Sequence, residues 1–262
     1  MIDVAHRIRT GRSSGAKREV LYGFHPVLEA LIAGRRRIYR LMLDRETPSD
    51  RRNRLIHLAD RRGVVWQAQT AEKIRQVAGS DQHQGVGASV SPLPLDALDA
   101  ILAERETAID DCLLMLLDGI VDPNNLGAIV RTAHCAGVHA LVIPKDRAAG
   151  ATPAVSKTSA GALEHTRLCR VTNLADCIQW LKKRRIWVAG LAMQAERSVF
   201  QTDLKGPLAL VLGGEHKGLR RLVRQKCDYL LSIPLRGRVD SLNASAAAAV
   251  VLYEAVRQRQ LS

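Results

Sequence analysis

The stretch LLMLLDGIVDPNNLGAIVRTA, residues 113–133, has the pattern of one complete strand–turn–helix unit. Its first part, LLMLLD (113–118), is a continuous apolar run, which is typical of a strand buried on both faces of a parallel sheet. A turn follows, in which Asn124 or Asn125 can cap the next helix. The helix itself is predicted over LGAIVRTAHCAG (126–137). Such units are the building blocks of parallel α/β sheets.

The same alternation of strand and helix continues to the C-terminus. Further apolar runs predict five more strands, at HALVIP (139–144), TRLCRV (166–171), IWVAGLA (186–192), LALVL (208–212) and LLSIP (230–234). Helical segments separate them, at residues 174–184, 219–227 and 243–260. The pattern predicts a mostly parallel sheet with helices on both faces, in which ligands bind at the carboxyl ends of the strands.

The residues before this sheet predict a second, smaller α/β domain. Helical segments at 21–34, 51–63 and 71–79 alternate with β-rich segments at 38–44, 64–69 and 85–90. The next segment, SPLPLDALDAILAERETAIDD (91–111), has two prolines and an acidic helical pattern, as expected of a connection. The predicted division is a flexible basic tail at 1–20, a small domain at 21–92, a linker at 93–111 and a larger domain at 112–262.

Charge is the main compositional signal. The chain of 262 residues has 39 Lys and Arg against 26 Asp and Glu, a net charge of +13, and residues 1–75 alone carry +9. A hydrophobic content of 47% excludes a disordered basic tail. The charge favours a polyanionic partner, with nucleic acid first and a basic ribosome-associated protein as the plain alternative. Only 3% of the residues are aromatic, which disfavours a broad base-stacking platform.

The sequence also limits the compartment. Five scattered cysteines without a CxxC pair argue against a disulfide framework and against a zinc finger, and no metal site is expected. No apolar run reaches the length of a membrane span, so no membrane partner is expected. The start, MIDVAHRIRTGRSSG, has no secretory apolar region, although its basic, Ser-containing character leaves a transit peptide open. We expect a cytoplasmic protein.

Two loops that follow predicted strands have unusual chemistry. In the first, at residues 118–133, Gly127 allows a ligand to approach the first helical turn, and Arg131 can present a guanidinium to a phosphate or an oxyanion. The plain alternative is a capped helix with an exposed arginine. The second loop, LVLGGEHKGL (210–219), places two glycines and a carboxylate at a strand end. It matches neither a Walker A loop nor GxGxxG, and a simple tight turn is the alternative.

A third loop precedes the last helix. The segment LSIPLRGRVDSLNASAAAAVVLYEAV (231–256) contains Arg236 and Arg238, and its Ser241-Leu242-Asn243 can cap the helix that follows. That helix opens with an alanine-rich face, against which another backbone can pack closely. The alternative is a well-capped C-terminal helix without a further role.

Taken together, these loops resemble a known enzyme family. NNLGAIVRTA, LVLGGEHKGL and IPLRGRVDSLNASAA resemble motifs one, two and three of the SpoU/TrmH family of SPOUT RNA methyltransferases. YGFHPVLEAL (22–31) and the HQG of residues 83–85 resemble the substrate-binding domain of the RlmB-like subgroup, which methylates guanosine in 23S rRNA. The likeness covers roughly residues 21–260, with the three motifs in the family's order.

The resemblance implies a fold, a reaction and partners. It implies a C-terminal SPOUT domain with a trefoil knot, S-adenosylmethionine-dependent 2′-O-methylation of a ribose, structured RNA of the 23S type as substrate and a homodimer. Periodicity alone predicts an ordinary doubly wound sheet, since true knots are very rare. A tRNA ribose methyltransferase, a resistance-type enzyme acting on adenosine and a non-catalytic RNA-binding or ribosome-assembly protein of the same fold are the alternatives.

The resemblance also assigns site residues. The catalytic set that it implies is Asn125, Arg131, Glu215 and Asn243. The cofactor-binding set that it implies is Leu212, Gly213, Gly214, Ile233, Leu235, Ser241 and Leu242, of which Ser241 also matches a polar position of the active centre. Because a guanidinium stays protonated, we interpret Arg131 as an oxyanion stabiliser and phosphate clamp more than as a base. His216 and Lys217, beside Glu215, either contact RNA or are solvated.

Overall fold

The computed structural model describes residues 18–214 and 218–260. They form two compact units: one comprises Leu95–Gly150 and residues 166–260, the other residues 18–94 and Ala151–His165. Most of the predicted basic tail lies outside the described residues.

The smaller unit contains a four-stranded sheet covered by helices. Its elements are β1 (Glu19–Tyr22), α1 (Phe24–Ala33), β2 (Ile38–Asp44), α2 (Ser49–Arg61), β3 (Trp66–Gln69), α3 (Ala71–Ala78) and β4 (Val86–Val90). The strand order is β1-β4-β2-β3, with only β2 and β3 parallel. Apolar faces of α1 and α2 pack on the sheet around Leu31, Leu41 and Leu55.

The first strand of this unit was not predicted. Leu21 and Tyr22, expected at the start of a helix, belong to β1, and α1 begins only at Phe24. Gly23 separates the two elements with a φ of 94°, a conformation that glycine adopts without strain. The prediction of a helix from residue 21 was therefore wrong at its first three residues.

The larger unit contains seven parallel strands. Its strands are β5 (Leu113–Asp118), β6 (Ala140–Pro144), β7 (Leu168–Val171), β8 (Trp187–Leu191), β9 (Arg197–Ser198), β10 (Leu208–Gly213) and β11 (Tyr229–Ser232). The remaining α-helices of the described residues are α4 (Leu98–Glu104), α5 (Pro123–Cys135), α6 (Pro153–Thr158), α7 (Leu174–Lys182), α8 (Arg221–Lys226) and α9 (Ala244–Gln260). The strand order is β7-β6-β5-β10-β8-β11-β9.

This sheet confirms the mostly parallel α/β prediction. All six strands predicted in this half are present, and β9 and helix α6 are additions. All six residues of β5 are buried, as its continuous apolar run predicted. The strands β5, β10 and β11 run parallel in one sheet, so the loops after them leave from the same edge.

Part of the segment interpreted as a linker belongs to the hydrophobic core. Helix α4 lies inside residues 93–111, and its Leu98, Ile101 and Leu102 pack in the cluster beneath the larger sheet. The acidic, amphipathic pattern of this segment therefore has a packing role in the larger unit.

Residues Ala151–His165 cluster with the smaller unit, although β6 and β7 of the larger sheet flank them in sequence. Arg36 is buried and donates through Nε to Glu164 Oε2 at 2.8 Å and through Nη2 to Oε1 at 3.1 Å. Ser156 Oγ also donates to Glu164 Oε1, at 2.7 Å. The ion pair between Arg36 and Glu164 is buried, and Ser156 satisfies a further acceptor position of the carboxylate. These bonds hold residues 151–165 in one geometry against the rest of the smaller unit.

Two further findings concern membrane-spanning helices and the cysteines. In residues 18–214 and 218–260, no helix has both the length and the apolar character needed to cross a membrane. The five cysteines are free thiols, and burial raises the pKa of Cys169, Cys177 and Cys227 to about 12. Those three thiols therefore remain protonated and unreactive at neutral pH.

Candidate active site

A buried carboxylate organises the carboxyl edge of the larger sheet. Asp118 ends β5 and is only 1% exposed. Its carboxylate accepts hydrogen bonds from the backbone N–H of Arg220 at 2.7 Å and from the Arg220 guanidinium. Its backbone carbonyl accepts the N–H of Gly214 at 3.0 Å. Asp118 thus holds both ends of the loop after β10. Sequence analysis missed this role, although a carboxylate closing an all-apolar strand was a visible signal.

The predicted glycines of this loop lie where no side chain fits. A Cβ on Gly213 would lie 2.1 Å from the carbonyl carbon of Gly218. A Cβ on Gly214 would lie 2.6 Å from the carbonyl oxygen of Gly119. Both glycines are required by close backbone approach, and neither has a positive φ. Glu215, His216 and Lys217, which follow them, lie outside the described residues.

The first and third loops are joined by two asparagines. Asn243 Nδ2 donates to Asn125 Oδ1 at 2.9 Å. The Asn243 Oδ1 accepts the N–H of Ser245 at 2.8 Å and so caps α9, as predicted. Two members of the predicted catalytic set are therefore in direct contact, although they are 118 residues apart in sequence.

The cap of α5 differs from the prediction. Asp122 accepts the N–H of Asn124 at 3.0 Å, and the helix begins at Pro123. The expectation that Asn124 or Asn125 caps this helix was wrong, because Asp followed by Pro at the first helical position starts it earlier. Asn125 consequently lies in the first turn of α5, where its amide oxygen accepts the hydrogen bond from Asn243.

Arg131 lies two turns into α5 and is exposed. Within the described part of the chain, its guanidinium has no hydrogen-bond or ion-pair partner. Because a helical Cβ points toward the helix N-terminus, the side chain extends over the preceding turn, which contains Gly127 and Ala128.

The loop after β11 fits a ligand that is recognised through backbone groups. No backbone hydrogen bond joins residues 233–242 to another described residue. Leu235 and Leu242 expose 39% and 41% of their surface, Ile233 is half-buried, and Ser241 is exposed. Leu212, by contrast, is buried in β10. Apolar side chains beside unpaired backbone groups suit an adenosine, whose base needs an apolar wall and hydrogen bonds at its edge.

Two cavities among the described residues lie away from the predicted cofactor residues. One of about 560 Å³ is lined by residues that include Asn173, Arg220 and Arg221, and so adjoins the Asp118 pair. Another of about 400 Å³ lies in the smaller unit beside Arg37 and Tyr39. Neither is lined by a predicted cofactor residue. Across the described ranges, His, Cys, Asp and Glu side chains form no group of three that could hold a metal ion.

Replacement of Asp118 with asparagine is expected to lower the free energy of unfolding by about 1–3 kcal/mol, because it weakens two buried hydrogen bonds to Arg220. Urea unfolding measures the change. Asp110→Asn, at an exposed position before the amino end of β5, is the control and should leave the midpoint unchanged. Equal midpoints for both variants would contradict an organising role for Asp118.

The Asn125–Asn243 bond can be measured by a double-mutant cycle. Asn125→Ala and Asn243→Asp are expected to couple by about 0.5–1.5 kcal/mol in unfolding experiments. Aspartate retains the acceptor that caps α9 but cannot donate to Asn125, so the cycle isolates the bond between the loops. Strict additivity would show that the contact contributes nothing to stability.

Two family models match this chain. The model of the SpoU rRNA Methylase family matches residues 112–253. The model described as RNA 2'-O ribose methyltransferase substrate binding matches residues 20–95. The first match contains the three loops, and the second contains most of the smaller unit.

Individual relatives extend over nearly the whole chain. A protein of Coxiella burnetii named 23S rRNA (guanosine-2'-O-)-methyltransferase RlmB is 42% identical, over 94% of this chain and 98% of that protein. The Escherichia coli K12 protein of the same name is 39% identical, over 92% and 99%. The crystal structure of the SpoU methyltransferase AviRb from Streptomyces viridochromogenes, in complex with AdoMet, has a TM-score of 0.78 at 30% identity and covers 94% of this chain and 92% of its own.

Proposed function

The chain belongs to the SpoU rRNA methylase family, and we propose that it methylates the 2′-hydroxyl of a guanosine ribose in large-subunit ribosomal RNA. The observation that carries the proposal is the contact between Asn125 and Asn243, which joins the first and third motif loops at one sheet edge. The loop held by Asp118 leaves from the same edge. The relatives named for this reaction supply the substrate class.

S-adenosylmethionine supplies a methyl group that is already activated by its sulfonium charge. The residues that would hold it are Leu212, Gly213, Gly214, Ile233, Leu235, Ser241 and Leu242. The unpaired backbone of residues 233–242 provides donors and acceptors for an adenine edge. Carbonyl dipoles of the same loops are suited to a cation. The structure of AviRb with AdoMet supports this choice of cofactor.

The remaining polar residues would act on the ribose. A 2′-hydroxyl is a weak nucleophile until its proton passes to solvent water, so charge on its oxygen must be stabilised and the oxygen must be aligned. Arg131, with a free guanidinium, would stabilise that oxygen and hold a neighbouring phosphate. Asn125 and Asn243 would orient the ribose, and Glu215 is assigned to the same task from the motif alone.

The smaller unit would bind the RNA. Arg18 and Arg37 each place a guanidinium over the ring of Tyr39, at 4.7 and 5.3 Å from its centroid. Together with the excess charge of residues 1–75, this favours contacts with phosphates and a salt-sensitive affinity. The relatives named for 23S rRNA favour ribosomal RNA over tRNA as the target.

Three finer features belong to the same proposal: a homodimer, a trefoil knot and a cytoplasmic location beside the ribosome. Exposed apolar side chains at the motif loops and on α9, Val121, Val239 and Tyr253, support a subunit contact. The trefoil knot is proposed from membership of the family alone. Sedimentation of the purified protein measures the dimer.

The experiment that tests the function maps ribose methylation in ribosomal and transfer RNA from a deletion strain. We expect one guanosine of the large-subunit RNA to lose its 2′-O-methyl group and to regain it when the gene is restored. Loss confined to tRNA would overturn the ribosomal target. Calorimetry without S-adenosylmethionine binding would favour the non-catalytic RNA-binding alternative.

A further inference from the structure

A basic and aromatic surface lies at the amino-terminal edge of the larger sheet, away from the motif loops. The segment WLKKRRIW (180–187) contains four consecutive cations and no acidic residue. All four are exposed: Lys182 ends α7, and the other three lie in the turn before β8. We call this the amino-edge surface and define it by Lys183, Arg184, Arg185, Trp187, Arg197 and Tyr229.

Arg185 has a backbone conformation that favours glycine. Its φ is 60°, and its N–H donates to Lys182 O at 2.9 Å as the chain leaves α7. Glycine is the usual residue at such a helix end. Cations in the last helical turn stabilise the helix dipole, which accounts for Lys182 and Lys183. Stabilisation of the helix dipole does not require an arginine at position 185, where the backbone is in the left-handed conformation. Helix stability alone therefore does not explain the Arg185 side chain.

Exposed aromatic rings adjoin these cations. Trp187, the first residue of β8, is 58% exposed. Its ring centroid lies 6.5 Å from that of Tyr229, and the Arg197 guanidinium lies 5.3 Å from the Tyr229 centroid. In a chain with three tryptophans, one on an open basic surface provides a face on which a nucleobase can stack.

Few acidic groups oppose this charge. Asp228 forms an ion pair with Lys182 at 2.7 Å and accepts the N–H of Val188, so its charge is compensated. Burial raises the pKa of Tyr229, and the negative charge of Asp203 in the neighbouring loop adds to this rise. The cations of the amino-edge surface therefore exceed the acids that face it, which matches a polyanion.

We propose that the amino-edge surface binds a second segment of the RNA substrate, with phosphates at Lys183 and Arg185 and an unpaired base on Trp187. The identity of the RNA rests on the proposed function. The strands between this surface and the motif loops are five or six residues long, so the two sites are about 20 Å apart. An RNA must extend well beyond the methylated nucleotide to reach both.

The test uses the full chain with Lys183→Gln, Arg185→Gly and Trp187→Leu combined. Arg185→Gly removes the charge while relieving backbone strain, and leucine keeps an apolar side chain without an aromatic face. We expect the Kd for a long 23S rRNA fragment to rise about 5–10-fold and the slope of log Kd against log salt to fall by about two. We expect kcat at saturating RNA, and the Kd for a short oligonucleotide around the target, to stay unchanged.

Arg170→Gln, at an exposed position of β7, removes one charge from the same unit as a control and should leave binding unchanged. An unaltered Kd and salt slope in the folded triple variant would overturn the proposal. A change in sedimentation without a change in RNA affinity would overturn it in favour of a contact between copies of the chain. If the unmodified protein methylates no ribosomal RNA, the proposed function fails separately, because the binding comparison does not require turnover.

Discussion

Replacement of Arg131 with alanine is expected to slow methyl transfer by about 10²–10³-fold at saturating S-adenosylmethionine and RNA. The reason is that Arg131 is the free cation of the first motif helix and would stabilise charge on the 2′-oxygen. Single-turnover transfer of a labelled methyl group to the rRNA fragment measures the rate. Filter binding of the same RNA and calorimetry of the cofactor establish that both ligands still bind.

Arg131→Lys is the matched variant. It keeps a positive charge but loses the planar group of donors, so an intermediate rate is expected. If Arg131→Ala transfers methyl groups at nearly the original rate while RNA stays bound, the assignment of Arg131 is wrong. If its RNA affinity falls and its rate at saturation is unchanged, Arg131 binds phosphate only.

Replacement of Gly213 with alanine is expected to weaken S-adenosylmethionine binding by about 10–100-fold. The added Cβ would lie within 2.4 Å of three backbone atoms of Gly218 and Leu219, so the loop after β10 must move. Such overpacking typically costs about 1–3 kcal/mol, which corresponds to this range of affinity. Calorimetric titration of the cofactor measures the loss.

Gly150→Ala is the matched control for this variant. A Cβ at Gly150 meets no atom within 4 Å, and its φ is not in the positive region. We therefore expect unchanged cofactor affinity and an unchanged melting temperature. If Gly213→Ala also binds the cofactor normally, the loop after β10 does not form the cofactor site in the way proposed.

Local pattern predicted the elements well, but it could not predict their arrangement. The run LLMLLD predicted β5 at residues 113–118 without error, because a doubly buried strand needs apolar residues at every position. The place of β10 between β5 and β8 depends on contacts among distant segments, which periodicity does not contain. Helix α6 was missed although Thr152 caps it and Pro153 starts it, because six residues are too few for a helical repeat to be visible.

In the candidate site, too, individual residues were predicted but the contacts between distant residues were not. The motifs named Asn125 and Asn243, and the hydrogen bond between them is a long-range contact that only the folded chain reveals. Asp118 was overlooked because it was interpreted as the end of a strand, and its bonds to Arg220 join positions 102 residues apart. The resemblance assigned Gly213 to the cofactor site, but the sequence did not reveal that the backbone of Gly218 excludes a side chain there.

The smaller unit is assembled from two separate stretches of chain, and this affects its synthesis. Arg36 is made early, whereas Glu164, its buried partner, follows 128 residues later. At translation rates of about 5–20 residues per second, Glu164 is synthesised roughly 6–25 s after Arg36. During that interval the nascent domain cannot complete its polar core. A fragment that ends at residue 94 would have the same defect permanently, and it is expected to be insoluble or to require the segment 151–165 in trans.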